Sequence, residues 1–175
     1  MKTRLVMTLV LTALFLGGCL QQTEYVHVGP NWKNLNELKA GKESIKVNLV
    51  TAPNKVKLGQ AMRFSVESAK EGNLWVIQVD SNDELGLMFP NKLDRDNAIE
   101  AGKPFTIPPK GAGWTLEAGE PTGLITVAFI VTPEGVSLEE ALTSRDNSES
   151  MEKAIEVVEQ APIWGLAKTV VTVEE

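Results

Sequence analysis

The chain has 175 residues, 17 Lys and Arg against 23 Asp and Glu, a formal net charge of −6, 43% hydrophobic residues, one cysteine and one histidine. That length supports one domain with a real core. The acidic balance argues against a nucleic-acid binder, which needs a basic patch, and against docking on anionic headgroups.

Taken from the start, the chain opens with Met1-Lys2-Thr3-Arg4, an apolar run from Leu5 to Leu16, and Gly17-Gly18-Cys19. A short basic start, about a dozen apolar residues and a small-residue cleavage site make a secretory signal. The run is shorter than the roughly twenty residues a bilayer span needs. Leu16-Gly17-Gly18-Cys19 resembles a lipobox, the motif at which signal peptidase II cuts once the cysteine thiol carries diacylglycerol. The sequence therefore predicts a signal peptide over residues 1–18 and a lipid-bearing Cys19, with a plain signal and a chance cysteine as the alternative. Cleavage there leaves 157 residues and, with Lys2 and Arg4 gone, a formal charge of −8. With no second cysteine the exported domain holds together without a disulfide. Leu20 after the cysteine resembles the sorting signal for the outer membrane. The expected location is thus a lipid anchor in that membrane, on its periplasmic face, with the cell surface or inner membrane as alternatives. The only expected non-protein group is the covalent diacylglycerol and N-acyl lipid on Cys19.

Residues 19–41 read as a lipidated cysteine and polar tether, in which Trp32, Leu35 and Leu38 at helical spacing suggest one short helix packing back on the domain. Residues 42–175 read as a single domain. From Ile45 the period is two: Ile45, Val47 and Leu49, then Met62, Phe64 and Val66, alternate with polar residues. Leu74 to Val79 is apolar on both faces and predicts a central strand. Asp80 to Glu84 is a turn, and Leu85, Leu87 and Phe89 resume alternation as its antiparallel partner. A polar loop over 92–97, a short strand Phe105-Thr106-Ile107 stopped by Pro108-Pro109, and a turn over 110–113 follow. Gly123 to Thr132 is the strongest strand, with Ile125, Val127, Phe129 and Val131 on one face.

Ser137-Leu138-Glu139-Glu140 fits a capping box that starts a short helix to about Leu142. Ser148 is placed to cap a second helix, where Met151, Ala154, Ile155 and Val158 fall at i, i+3, i+4 and i+7. Pro162 ends it, and Ala167 to Val173 forms a last strand. About seven short strands with late helices predict a mainly β fold, a β-sandwich with a short helical insertion near 137–160 before the last strand.

Leu58-Gly59-Gln60, Gly72-Asn73-Leu74-Trp75-Val76, Met88-Phe89-Pro90-Asn91, Ala101-Gly102 with Phe105-Thr106-Ile107-Pro108, and Pro121-Thr122-Gly123 occur in the order of a bacterial family. From Ile45 to Pro133 the chain resembles domain of unknown function 4384. The family usually has Leu-Phe-Pro-Asn where this chain has Met88-Phe89-Pro90-Asn91, and a tyrosine near Leu74. The resemblance implies an immunoglobulin-like sandwich on exported or anchored bacterial proteins. It brings no known catalytic residues and no agreed ligand, and the chain from Glu134 onward lies outside it.

Nucleophilic catalysis needs a base beside a Ser or Cys. His27 sits in the tether, Cys19 is the lipidation site, and no G-x-S-x-G elbow occurs. Zinc wants His and Cys ligands that the chain lacks. Asp80, Asp83 and Glu84 in one turn, and Asp94 and Asp96 in a loop, are hard oxygen donors of the kind calcium takes, but they also suit turn chemistry, and no metal site is assigned. Trp114 and Trp164, at element edges, are candidates for stacking on a sugar, as Trp32 is, whereas Trp75 reads as core. Glu152, Glu156 and Glu159 form one outer face of the second late helix, either a solvated face or a docking surface for a basic partner. The leading expectation is a non-enzymatic, membrane-anchored binding or assembly module of a cell-envelope complex, such as a secretion system. A glycan- or peptidoglycan-binding lipoprotein is the alternative, and an envelope hydrolase a third.

Overall fold

A computed structural model describes residues 29–143 and 147–175. The signal segment, Cys19 and His27 lie outside the described residues. The chain begins with a helix, α1 (Pro30–Glu37), in which Pro30 occupies the first turn, where its missing N–H costs nothing. Strands β1 (Val47–Thr51), β2 (Lys55–Lys57), β3 (Ala61–Met62), β4 (Phe64–Ser68), β5 (Gly72–Val79) and β6 (Leu85–Phe89) follow. After them come β7 (Ala98–Ile99), β8 (Phe105–Ile107), β9 (Leu116–Glu117) and β10 (Gly123–Thr132). Helices α2 (Glu139–Leu142) and α3 (Asn147–Gln160) precede the last strand, β11 (Gly165–Glu174). The fold is mainly β with the helical insertion where the sequence places it.

Three sheets form. The largest runs β2-β11-β10-β5-β6, with β7 beside the start of β5; the second runs β1-β4-β8; the third is the pair β3-β9. The six strands of five or more residues, β1, β4, β5, β6, β10 and β11, follow the apolar patterns in the sequence. The count of about seven is exceeded because β2, β3, β7 and β9 are two- or three-residue pieces, too short to show a period. β2 is also parallel to β11, pairing Val56 with Val173, at the edge of the large sheet.

Two apolar layers result, one on each face of the large sheet. Phe64, Val66 and Ile107 of the small sheet meet Leu74, Val76, Val127, Phe129 and Val171 of the large one. The Phe64 and Phe129 rings lie 5.4 Å apart at 60°, within the tilted geometry aromatic pairs prefer. The opposite face of β5 and β10 presents Trp75, Ile77, Val79, Ala128 and Ile130 to the helices, which supply Leu35, Leu138, Met151, Ala154 and Val158. Each buried Val, Leu, Ile or Met side chain among them contributes roughly 1.5–3 kcal/mol relative to exposure. This double burial is why β5 and β10 read as apolar on both faces.

The helix boundaries differ in detail from the sequence reading. α2 begins at Glu139 with Leu138 at its N-cap and no side-chain cap. Ser137, expected at that position, sits one residue outside, its Oγ accepting the Glu139 N–H at 3.2 Å. Leu138 is fully buried, and seating it in the core sets where the helix starts. α3 begins at Asn147, one residue before the expected Ser148 cap.

Candidate functional site

Helix α1 is held across the large sheet by two residues distant in sequence. Asp83, in the β5–β6 turn, has a left-handed backbone with φ 65°. Its carboxylate accepts the backbone N–H of Asn31 at 3.0 Å and of Trp32 at 2.7 Å, and its carbonyl accepts the Asn31 side-chain amide at 2.8 Å. These groups lack partners inside a helix, so Asp83 caps α1 from another element. Gly29 is required there, since a Cβ would lie 1.8 Å from the Asp83 carboxyl carbon. At the other end the Lys168 ammonium donates to the carbonyls of Leu35, Asn36 and Leu38 at 2.9, 2.7 and 3.1 Å. A cation at a helix C-terminus offsets the negative end of its dipole. Burial, with Lys39 nearby, holds the Lys168 pKa below its usual 10.5.

So fixed, α1 runs beside α3 and the two enclose a shallow groove of about 440 Å³, lined by Asn34 of α1 and by Glu152, Ile155, Glu156, Glu159 and Gln160 of α3. It continues toward Glu37, Leu38 and Lys39 at the end of α1. Glu152, Glu156 and Glu159 are all exposed. The sequence therefore identified one wall of this groove. It missed the other, because nothing local to α1 shows which face of α3 it approaches. Chemically the groove is an acidic rim over a half-buried isoleucine.

The tryptophans divide differently. Trp164 is 7% exposed within the helix-side layer, and Trp114 is half-buried against the sandwich core. They belong to opposite faces of the large sheet and form no common platform. The Trp114 indole N–H is buried without a hydrogen-bond partner among the described residues. Trp32 is half-buried in the helix-side layer, and Trp75 donates its indole N–H to Thr132 Oγ1 at 3.0 Å.

The acidic turns are engaged by backbone. Asp80 Oδ1 accepts the N–H groups of Asn82 and Glu84, each at 2.9 Å, while Asp83 caps α1. Asp96 Oδ1 accepts the Ala98 N–H at 3.2 Å. Among the described residues no group of three or more His, Cys, Asp or Glu is arranged to hold a metal ion. No helix among them is long and apolar enough to cross a membrane.

Residues 55–135 match the family described as Domain of unknown function (DUF4384), so the resemblance read between Ile45 and Pro133 is present over that range. The match takes in the Asp83 turn and ends before α2 and α3. No curated protein matches the chain. Among solved structures, the chain is similar to the sporulation control protein Spo0M from Bacillus subtilis, at 12% identity and a TM-score of 0.40, over 79% of this chain and 51% of that one. It is also similar to a beta-glucosidase from Listeria innocua, at 12% identity and a TM-score of 0.36, over 77% of this chain and 16% of that one. The chain thus spans about half of the first and under a fifth of the second. Likenesses this distant carry no functional argument.

Proposed function

We propose that the protein is a non-enzymatic, membrane-anchored lipoprotein that acts as a binding or assembly module of a bacterial cell-envelope complex, and that the α1–α3 groove receives a basic segment of its partner. The observation that carries this reading is the placement of the carboxylates on α3. Glu159 lies in the last turn, which contains no basic residue, so it faces the negative end of the helix dipole at a cost of about 0.3–1 kcal/mol. Glu152 and Glu156 are four apart, a like-charge spacing that costs a few tenths more, about 0.2–0.5 kcal/mol. Glu156 Oε1 accepts the Gln160 side-chain amide at 3.1 Å within the helix, while Glu152 and Glu159 stay exposed and suit a cationic partner. Lysine 153 of the same helix is engaged elsewhere, with Glu149 at 2.7 Å.

The membrane part of the proposal rests on the sequence. Cys19 carries the diacylglycerol and N-acyl chains, and two or more chains give stable anchoring where one is marginal. The anchor sits in the outer membrane with the domain on the periplasmic side, and a secretion system is one setting that fits. The polar tether after Cys19 lets the domain, with its groove, stand off the membrane.

In-cell crosslinking of the lipidated protein, followed by affinity purification and mass spectrometry, tests this reading. A few envelope proteins recovered in fixed ratio support it. Recovery of glycan fragments alone, with no protein, overturns it in favour of wall binding.

A further inference from the structure

The turn that follows β6 displays an apolar side chain between two cations. Leu93 is 76% exposed, the highest value for a large hydrophobic among the described residues. Lys92 and Arg95 flank it and are exposed too, and neither has a salt-bridge partner among the described residues. The turn is fixed before anything touches it. Asn91 Oδ1 accepts the N–H groups of Leu93 and Asp94 at 2.9 and 3.0 Å, and the Asn91 side-chain amide donates to the Met88 carbonyl at 3.2 Å. One exposed leucine is ordinary on a protein surface. This one has a counterpart on the same chain. The α1–α3 groove sets half-buried Ile155 among the exposed carboxylates of Glu152 and Glu159, the same arrangement with the opposite sign of charge. The carboxylate within the turn, Asp94, is half-buried, and Lys39 lines the continuation of the groove. The turn lines neither part of the groove in its own chain, so the two meet only between copies.

We infer that copies of this chain join head to tail, the Lys92–Arg95 turn of one seated in the α1–α3 groove of the next. Leu93 lies over Ile155, and the two cations meet Glu152 and Glu159. The inference rests on the reading of that groove as a receptor for a basic segment and names a second copy as the supplier. Complementary charge fixes the register of such a contact, and a turn held in advance loses little freedom on docking. Because the two patches differ, the contact is heterologous and passes from copy to copy. The last groove of an open run stays free for another basic segment.

Two differently tagged versions of the full-length chain, one with Leu93→Cys and one with Ile155→Cys, produced in the same cells and oxidised there, test the inference. The expected result is a mixed disulfide dimer at least tenfold above that formed by Leu93→Cys with Lys110→Cys, an exposed site in the turn after β8. Lys92→Glu with Arg95→Glu in the first version is expected to cut the yield tenfold or more. Glu152→Lys with Glu159→Lys in the second version is then expected to restore it, a rescue that misfolding would not give. A mixed dimer no more abundant than the control, or one indifferent to the reversal or the rescue, overturns docking between copies. Envelope proteins captured by the wild-type chain would in that event show that the groove takes its basic segment from another protein.

Discussion

Asp83 caps Asn31 across 52 residues of sequence, its carboxylate accepting the Asn31 backbone N–H and its carbonyl the Asn31 side chain. A helix of eight residues with three asparagines has little stability of its own, since isolated helices below about 12–15 residues are marginal. Its existence therefore depends on this contact, on Lys168 at its other end and on Leu35 in the core.

Replacing Asp83 with alanine removes two acceptors and places an alanine in the left-handed region. A loss of about 1–2 kcal/mol is expected from the cap, with up to about 1–2 kcal/mol more from backbone strain. Asp83→Asn, which tolerates that backbone, is expected to lose less. Urea denaturation gives the stability change, and amide exchange at Asn31 and Trp32 should rise selectively. Unchanged exchange there would show that α1 does not depend on Asp83.

Gly29→Ala is expected to have a related effect by a different route, since its Cβ would lie 1.8 Å from the Asp83 carboxyl carbon. Carboxylate and helix would have to separate. A double variant with Asp83→Ala should then lose little beyond either change alone, and additive losses in urea denaturation would contradict the shared mechanism.

Lys168→Met strips the ammonium from three carbonyls of α1, for an expected loss of about 1–2 kcal/mol. The native pKa of Lys168 lies below 10.5, chiefly through burial. Between that lowered value and 10.5 the unfolded chain binds more protons than the native one, so this group makes stability rise with pH across the window. The difference in thermal midpoint between wild type and Lys168→Met should therefore grow as pH approaches 10.5. A difference that shrinks over that range would contradict the assignment.

Thr132 Oγ1 accepts the Trp75 indole N–H at 3.0 Å and donates to the Val136 carbonyl at 2.8 Å. Thr132→Val keeps the shape but orphans the buried indole, which costs about 1–3 kcal/mol. Trp75→Phe in the Thr132→Val background should recover part of that loss in urea denaturation, because the orphaned donor is gone. No recovery would mean that the bond carries little weight beside the packing of the ring.

How far the sequence shows the fold depends on the range of the forces that shape each element. β5, β6, β10 and α3 have enough residues for a period to appear, and their buried faces are those the pattern indicates. β3, β7 and β9 have two residues each and exist through pairing alone, such as Gly72 with Ile99. The outer face of α3 was legible because Glu152, Glu156 and Glu159 recur at helical spacing. The groove was not, because α1 reaches that face through Asp83 and Lys168, the latter 133 residues from Leu35. Trp164, at the edge of its strand, has no periodic neighbours, yet it closes the helix-side layer.

Docking of a basic envelope partner in the acidic groove is tested by crosslinking with the charges of α3 reversed. Glu152→Lys, Glu156→Lys and Glu159→Lys together lie on an exposed face and should leave the thermal midpoint nearly unchanged, as surface substitutions usually stay within about 0.5 kcal/mol each. The crosslinked partner is expected to fall at least tenfold in yield while the protein stays folded and membrane-bound. Full recovery of the partner by that folded, anchored variant would contradict the account.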